Sequence, residues 1–334
     1  MKSLAQSWYR SDLSAKLIAG LLLPLSWLYC AIAVSRRKVY QLGLKKSYVA
    51  SAPIIVIGNI VVGGSGKTPL LIALCEFIKD QGFRPGVVSR GYGGRVSGLK
   101  QVQEDDSAEL VGDEPLMIHQ RTKLPVVVGA DRVAAVNYLL ENNQCDVVLS
   151  DDGLQHYRMQ RDVEIAVLDS SRGFGNGFCL PAGPLRERVS RLNEVDIIVY
   201  NGAALSPRDC SYTLKIVDLS HLNSGERLPL SSFVDKTVHA VAGIGHPARF
   251  FAQLRDNGVG LTEHAFSDHH AYQQADFSGW ENERIIMTEK DAVKCHRLRL
   301  PDAWVVNVVA VFSESLESQL NSKILPLLEQ PSIQ

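Results

Sequence analysis

Paired cysteines are missing from this sequence. Its 334 residues contain six cysteines, none in a Cys-x-x-Cys pair: Cys30, Cys75, Cys145, Cys179, Cys210 and Cys295. Such scattered cysteines exclude a disulfide framework and a zinc site, and they are typical of the reducing cytoplasm. Internal repeats and low-complexity tracts are absent as well, and only 21% of the residues are charged while 46% are hydrophobic. These values exclude disorder and indicate a folded chain long enough for two domains.

Net charge is scarce too, at −1 for the whole chain, but it is unevenly distributed. Residues 1–50 carry a net charge of +7, because Asp12 is the one acid among eight basic residues. This asymmetry indicates an anionic partner, either a membrane or a nucleic acid. The uncharged run LIAGLLLPLSWLYCAIAV at residues 17–34 lies inside the basic segment and favours the membrane over nucleic acid.

The uncharged run is marginal as a membrane span. As a helix it would reach about 27 Å, against a hydrocarbon core of about 30 Å, and Pro24 would kink it. The following sequence SRRKVY is unlike a signal-peptide cleavage site. We predict a membrane-associated helix within residues 1–45 that dips into or barely crosses one leaflet, with Arg36, Arg37 and Lys38 at the phospholipid headgroups on the cytoplasmic side. A single span and a buried core helix are the alternatives.

From residue 53 onward, short apolar runs alternate with segments of helical period. Six runs read as strands: PIIVIGN, RPGVVSR, LPVVVGA, CDVVLSD, VEIAVLD and VDIIVYN. This alternation predicts an α/β fold with a parallel sheet covered on both faces. We expect a larger domain at 46–202, a linker region at 203–236 and a smaller α/β domain at 237–325. Two open sheets facing each other would form a ligand cleft.

A glycine-rich turn follows the first strand and precedes a helix. Its sequence is VVGGSGKT, formed by Val61, Val62, Gly63, Gly64, Ser65, Gly66, Lys67 and Thr68. In this context the backbone amides would cradle phosphate oxygens, Lys67 would reach the β- and γ-phosphates of ATP, and the Thr68 hydroxyl would ligate Mg²⁺. The pattern predicts a P-loop NTPase-like domain. The alternative is a glycine-rich turn with a chance Lys-Thr pair.

Acidic and basic residues supply further candidates. Asp151 and Asp152 end a hydrophobic strand, where a Walker-B acid holds Mg²⁺, although an Asx-type turn has the same pattern. Gln155 and His156 follow on the same turn and would orient the γ-phosphate or serve only as caps. Arg186 follows a Pro- and Gly-shaped loop with Glu187, Arg188 and Arg191, and it would clamp a phosphate unless this segment is a solvated helix face.

Two more segments offer proton-transfer groups. Asp113 and Glu114 precede an apolar helix, as a helix N-cap would. Asp268, His269 and His270 place imidazoles beside a carboxylate, a combination that tunes a general base. A metal site on the two histidines lacks companions at ligand spacing.

Eight motifs occur in order along the chain: GNIVVGGSGKTP, SRGYGG, GDEP, GADR, DDGLQH, LPAGPLRE, FSDHHAY and TEKDAVK. Together they resemble the tetraacyldisaccharide 4′-kinases, the lipid A kinases of Gram-negative bacteria, from the N-terminal helix to about residue 310. The resemblance implies a peripheral inner-membrane enzyme that uses MgATP to phosphorylate the 4′-hydroxyl of a tetraacylated glucosamine disaccharide 1-phosphate. No protein partner is expected.

The resemblance also implies roles for individual residues. Asp113 would be the catalytic carboxylate with His269 as its partner, although the adjacent His270 remains an alternative. Asp151 and Asp152 would form the Walker-B pair, with Gln155 and His156 beside it. Glu187 would be an acid near the metal, and Arg132 of GADR a basic residue of the substrate site. Two other classes stay open on the residues alone, a P-loop GTPase or metal chaperone and a DNA-binding ATPase.

Overall fold

The computed structural model describes residues 4–329. Within them lie thirteen strands: β1 Ile54–Gly58, β2 Pro85–Ser89, β3 Leu99–Gln101, β4 Val126–Gly129, β5 Val147–Asp151, β6 Val163–Asp169, β7 Ile197–Asn201, β8 Cys210–His221, β9 Arg227–Leu228, β10 Thr237–Ala242, β11 Gly260–Ala265, β12 Ile285–Thr288 and β13 Ala303–Phe312. The apolar runs predicted as strands all form strands. The sequence pattern missed β3, β9 and β11, which are short or largely exposed.

The same residues contain ten α-helices: α1 Leu4–Ser7, α2 Leu13–Gln41, α3 Lys67–Asp80, α4 Ala108–Val111, α5 Asp113–Thr122, α6 Arg132–Asn142, α7 Pro247–Asp256, α8 Glu289–Cys295, α9 Glu314–Lys323 and α10 Leu325–Leu328. Three short 3₁₀ helices lie at Val189–Glu194, Leu230–Phe233 and Gln274–Phe277.

All strands belong to one sheet, with the order β11-β10-β12-β13-β8-β7-β6-β1-β5-β2-β4-β3 and with β9 beside β8. Strand β1 is central, parallel to β5 and β6 and fully buried. Apolar residues cover both faces of this part of the sheet, since Ile55 and Ile57 pack in one core cluster and Ile54 and Val56 in another. The predicted α/β class with a mostly parallel sheet is confirmed.

The expectation of two separate sheets was wrong. Strand β8 pairs in parallel with β7 and antiparallel with β13. Because β8 has 12 residues and β13 has 10, their long antiparallel ladder joins the strands of residues 54–201 to those of residues 237–312. One strand of this ladder, β8, lies within residues 203–236. That range is polar and irregular in sequence apart from the run SYTLKIVDL.

Helix α2 lies against the sheet-bearing body along one narrow face. Its buried residues are Ala15, Ala19, Ser26 and Cys30, which recur at helical spacing. The Ser26 hydroxyl donates to the Cys179 carbonyl at 2.7 Å, and the Cys30 and Cys179 sulfurs are 3.2 Å apart. The opposite face is exposed and apolar, with Leu21 82% exposed. Pro24 lies inside the helix without ending it, and α2 is long and apolar enough to cross a membrane by length and composition.

Candidate active site

The phosphate loop connects β1 to α3 and is held from behind by buried polar groups. Gly66 has a left-handed backbone (φ +87°), and a Cβ there would overlap the side chains of Asn201 and Tyr212. Those two side chains donate hydrogen bonds to loop carbonyls, Asn201 to Ser65 at 3.1 Å and Tyr212 to Gly66 at 2.5 Å. Asn59 donates to the Ser65 hydroxyl at 2.9 Å. The carbonyls therefore face the protein, as a loop that offers amides to a phosphate requires.

Lys67 opens α3 and points to the end of β5. Its Nζ lies 3.5 Å from Asp152 Oδ1, and Arg186 Nη1 lies 2.8 Å from Asp152 Oδ2. Burial would raise the pKa of Asp152, but the charges of Lys67 and Arg186 outweigh it and lower that pKa. Asp152 is therefore a carboxylate shared by two cations. Its left-handed backbone (φ +49°) turns the chain sharply after β5.

Asp151 is the more deeply buried of the two acids. Ser89 donates to its Oδ2 at 3.0 Å, while its Oδ1 is buried with no hydrogen-bond partner within residues 4–329. Burial, with repulsion from Glu114 and Asp152, raises the pKa of Asp151 to about 6. A divalent cation would satisfy this orphaned carboxylate oxygen, and Thr68 at the start of α3 lines the same cavity as Asp151.

Protein ligands for that cation are few. No group of three His, Cys, Asp or Glu side chains in the described chain is placed to hold a metal by itself. This fits Mg²⁺, which binds through one or two carboxylates together with substrate phosphates and water. Glu187 is buried, and its carboxylate accepts hydrogen bonds from Gln155 at 3.0 Å and from Tyr157.

Arg132 and His156 have unpaired nitrogens. Arg132 donates through Nη2 to the Asp151 carbonyl at 2.7 Å, while its Nε and Nη1 are buried and find no partner among the described residues. His156 Nε2 is likewise unpartnered there. Burial and the nearby Arg132 and Arg161 charges lower the pKa of His156 to about 4, so this imidazole is neutral at pH 7.

Asp113 and His269 meet although they are far apart in the chain. Asp113 is the first residue of α5 and is 4% exposed, and its Oδ2 lies 2.9 Å from His269 Nδ1. Burial opposes ionisation of Asp113, but the hydrogen bond from His269 and the charge of Lys290 outweigh it and lower the pKa of Asp113. The same hydrogen bond raises the pKa of His269. The adjacent His270 instead contacts Asp276 at 2.9 Å.

Lys290 contacts the residues that adjoin Asp113 and His269 in the chain. Its Nζ lies 2.9 Å from Glu114 Oε1 and 3.0 Å from Asp268 Oδ1. Lys290 is the first lysine of the motif TEKDAVK, and the sequence pattern alone assigns it no function. The available signal was position, since Lys290 lies in the first turn of a helix directly after β12.

One cavity of about 1410 Å³ brings most of these groups together. Its walls include the loop Val62–Thr68, Arg132, Asp151, Asp152, Arg186, His269 and Lys290, and also Tyr29 and Arg36 of α2. Glu187 and Asp113 are not among its lining residues; Asp113 lines a second cavity of about 380 Å³, and His269 lines both. Arg188 and Arg191, which follow Glu187 in the chain, do not line the larger cavity either. Arg191 forms a buried ion pair with Glu164 at 2.6 Å, and Arg188 donates a hydrogen bond to the Cys30 sulfur.

Comparisons with known proteins point in one direction. The family described as Tetraacyldisaccharide-1-P 4'-kinase matches residues 18–325. The tetraacyldisaccharide 4'-kinase of Nitrosococcus oceani is 44% identical, with 97% of this chain and 93% of that protein aligned. The one from Coxiella burnetii is 46% identical, with 93% and 92% aligned.

A solved structure is similar as well. The LpxK protein of Aquifex aeolicus, crystallised in complex with ATP, superimposes with a TM-score of 0.79 at 28% identity. The match covers 93% of this chain and 99% of that one.

Proposed function

This chain belongs to the tetraacyldisaccharide 4'-kinase family, ATP-dependent enzymes of lipid A biosynthesis, and we propose how its residues perform the transfer. The γ-phosphate of ATP passes to the 4′-hydroxyl of a tetraacyldisaccharide 1-phosphate inside the large cavity. The observation that supports this proposal is that the phosphate loop and His269, which contacts Asp113 at 2.9 Å, line the same cavity. In-line transfer requires positioning, charge neutralisation and a base for the attacking hydroxyl.

The triphosphate binds at the amino end of α3. Backbone amides from Val61 to Thr68 contact its oxygens, and the Lys67 ammonium neutralises charge on the β- and γ-phosphates. Support comes from the loop carbonyls, which Asn201 and Tyr212 hold on the protein side.

Thr68, Asp151, Asp152 and Glu187 would hold Mg²⁺ with the triphosphate, and Glu187 would act through the Gln155 side chain that it contacts. The ion, when bound, neutralises phosphate oxygens in the transition state. The orphaned Asp151 Oδ1 supports this assignment. Asp152 already balances two cations, Lys67 and Arg186, so its carboxylate fixes their positions as well.

Asp113 accepts the proton of the 4′-hydroxyl. Its lowered pKa keeps it ionised, and His269 Nδ1 at 2.9 Å orients the carboxylate. Arg132 and Arg186 contact phosphate oxygens of the substrates, while Gln155 and the neutral His156 lie beside them as hydrogen-bonding groups. The unpaired buried nitrogens of Arg132 support an anion in this position.

The enzyme works at the cytoplasmic face of the inner membrane, where its acylated substrate resides. Helix α2 lies in the lipid surface through its exposed leucines, and its basic end faces the headgroups. Tyr29 and Arg36 of α2 line the cavity, so this helix also connects the bilayer to the site.

The chain is organised in four parts: the membrane helix at 1–45, the kinase core at 46–202, a linking region at 203–236 and a smaller α/β unit at 237–325. The last part covers the phosphate loop and limits hydrolysis of ATP by water. The approach of Gly245 to Gly64 supports this, since a Cβ on Gly64 would lie 3.3 Å from the Gly245 Cα.

The proposal is tested with purified protein, a tetraacyl disaccharide 1-phosphate and ATP, with and without Mg²⁺. We expect a 1,4′-bisphosphate product only with Mg²⁺, and loss of product on chelation. Asp113→Asn should lower kcat by about 10²-fold or more with little effect on the ATP dissociation constant. An Asp113→Asn enzyme with parental kcat would refute the assignment of the base, whereas activity without any divalent cation would refute the metal site.

A further inference from the structure

We propose that Lys290 is a positioning residue for phosphate transfer, which holds Asp113 and His269 together and keeps the pair in the charge state that accepts a proton. This inference rests on the proposed role of Asp113 as the base. It concerns a residue outside the phosphate loop and the metal site.

The geometry comes from two neighbours. Glu114 follows Asp113 at the start of α5, and Asp268 precedes His269 in the loop after β11. Lys290 Nζ contacts both, at 2.9 Å and 3.0 Å, and its side chain is only 14% exposed. One ammonium group therefore links the two chain segments that carry the pair.

His269 needs such support. Its backbone is left-handed (φ +61°), a conformation that is uncommon for residues other than glycine and that surrounding contacts stabilise. Two contacts hold this segment. The preceding residue, Asp268, contacts Lys290, and the His269 imidazole contacts Asp113. Loss of Lys290 would release the first of these contacts and with it the position of the imidazole.

Charge adds a second effect. Lys290 Nζ lies 4.0 Å from Asp113 Oδ2, and its positive charge lowers the pKa of Asp113 and also that of His269. The other groups facing the pair are Glu114 and Asp268, the more distant Lys294, and the edge of the Tyr92 ring at 5.2 Å from the His269 ring. Without Lys290 the anions dominate, so the pKa values of both Asp113 and His269 rise.

The test is the pH profile of kcat for Lys290→Met. Because both pKa values rise, the acid limb of the profile should move to higher pH by about one unit, whichever of the two groups it reports. At pH 7 we expect kcat to fall about tenfold, with the KM for ATP little changed. Lys290→Arg keeps the charge and should return the limb towards its parental position.

Two further variants separate charge from helix packing. Arg121 of α5 pairs with Glu289 of α8 at 2.5 Å, joining the same two helices as the Lys290–Glu114 pair. Arg121→Met should therefore weaken packing while leaving the acid limb in place. Asp268→Asn removes an anion and should move the limb in the opposite direction, to lower pH.

Melting temperatures accompany each profile, and if Lys290→Met does not fold, Lys290→Gln removes the same charge while keeping a hydrogen-bond donor. The inference would be overturned if the acid limb of the kcat profile did not move in Lys290→Met or Lys290→Gln. It would also be overturned if Arg121→Met moved that limb by the same amount. A raised KM for ATP with an unmoved limb would overturn it too and assign Lys290 to phosphate binding. Asp113→Asn measured in parallel shows whether the base itself was misassigned, since parental activity there contradicts the proposed function and not merely this extension of it.

Discussion

His269 Nδ1 lies 2.9 Å from Asp113 Oδ2 although 156 residues separate them in the chain. The contact joins the first turn of α5 to the loop after β11. It therefore depends on how the strands of residues 54–201 are arranged relative to those of residues 237–312. The next histidine along, His270, contacts Asp276, which lies in the 3₁₀ helix Gln274–Phe277.

His269→Ala should lower kcat about 10- to 100-fold, because Asp113 loses the group that orients it. His270→Ala is the matched control, since it removes an imidazole one residue away that contacts Asp276 and leaves Asp113 untouched. Steady-state kinetics at saturating ATP compare the two. Equal losses in both variants would contradict the assignment of His269 as the partner of Asp113.

The same pair should contribute to stability only within a window of pH. The raised pKa of His269 means that its contribution is full below the usual histidine pKa of about 6.5 and is lost as the pH rises through the folded value. The lowered pKa of Asp113 means that its contribution is present above about pH 4 and is lost as the pH falls further.

Melting temperatures of the parent and of His269→Ala, measured from about pH 2.5 to about pH 9, check this expectation. The difference between them should be largest between about pH 4 and 6.5 and should shrink on either side. A difference that does not change with pH would indicate that packing, and not charge, accounts for the effect of the substitution.

Gly66→Ala should abolish ATP binding. A methyl group at this position would overlap Asn201 and Tyr212, the side chains that hold the phosphate loop. Gly82→Ala is the matched control, because Gly82 also has a positive φ (+86°) but has no atom within 4 Å of a Cβ. Gly82→Ala should cost about 1–2 kcal/mol of stability and leave the ATP dissociation constant unchanged. Nucleotide titration distinguishes the two, and normal binding by Gly66→Ala would refute this account of the loop.

The outer face of α2 should govern membrane association. Deleting the whole helix would also remove its contacts with Cys179, so outward leucines are the better target. Combining Leu17→Gln, Leu21→Gln and Leu28→Gln should weaken binding to anionic phospholipid vesicles on the order of 10²-fold, because three side chains no longer enter the lipid.

Leu205→Gln is the control for the vesicle experiment, since Leu205 is 71% exposed but lies outside α2. It should bind vesicles like the parent. If the triple variant still floats with the vesicles as the parent does, another surface must provide the anchor.

Local features of the sequence were enough to predict several parts of the molecule. The phosphate loop lies between β1 and α3 because glycines follow a buried apolar strand and a helix-forming segment comes next. Asp151 and Asp152 lie at the end of β5 for the same kind of reason, since a run of β-branched and aliphatic residues ends there. The uncharged run at 17–34 forms a helix with an exposed apolar face. Each of these depends on residues close together in the chain.

Contacts between distant segments were decided only by the tertiary structure. Pairing of β8 with β13 merged the two expected sheets into one, because strand pairing depends on which edges meet and not on either strand alone. The partner of Asp113, the three carboxylates around Lys290 and the burial of Arg191 against Glu164 are ion pairs between separate elements. The sequence by itself determined most of the elements, though not β3, β9 and β11, and the kinds of charged group that they carry. Which charges meet was set by the packing of those elements, since electrostatic partners are chosen by distance in space.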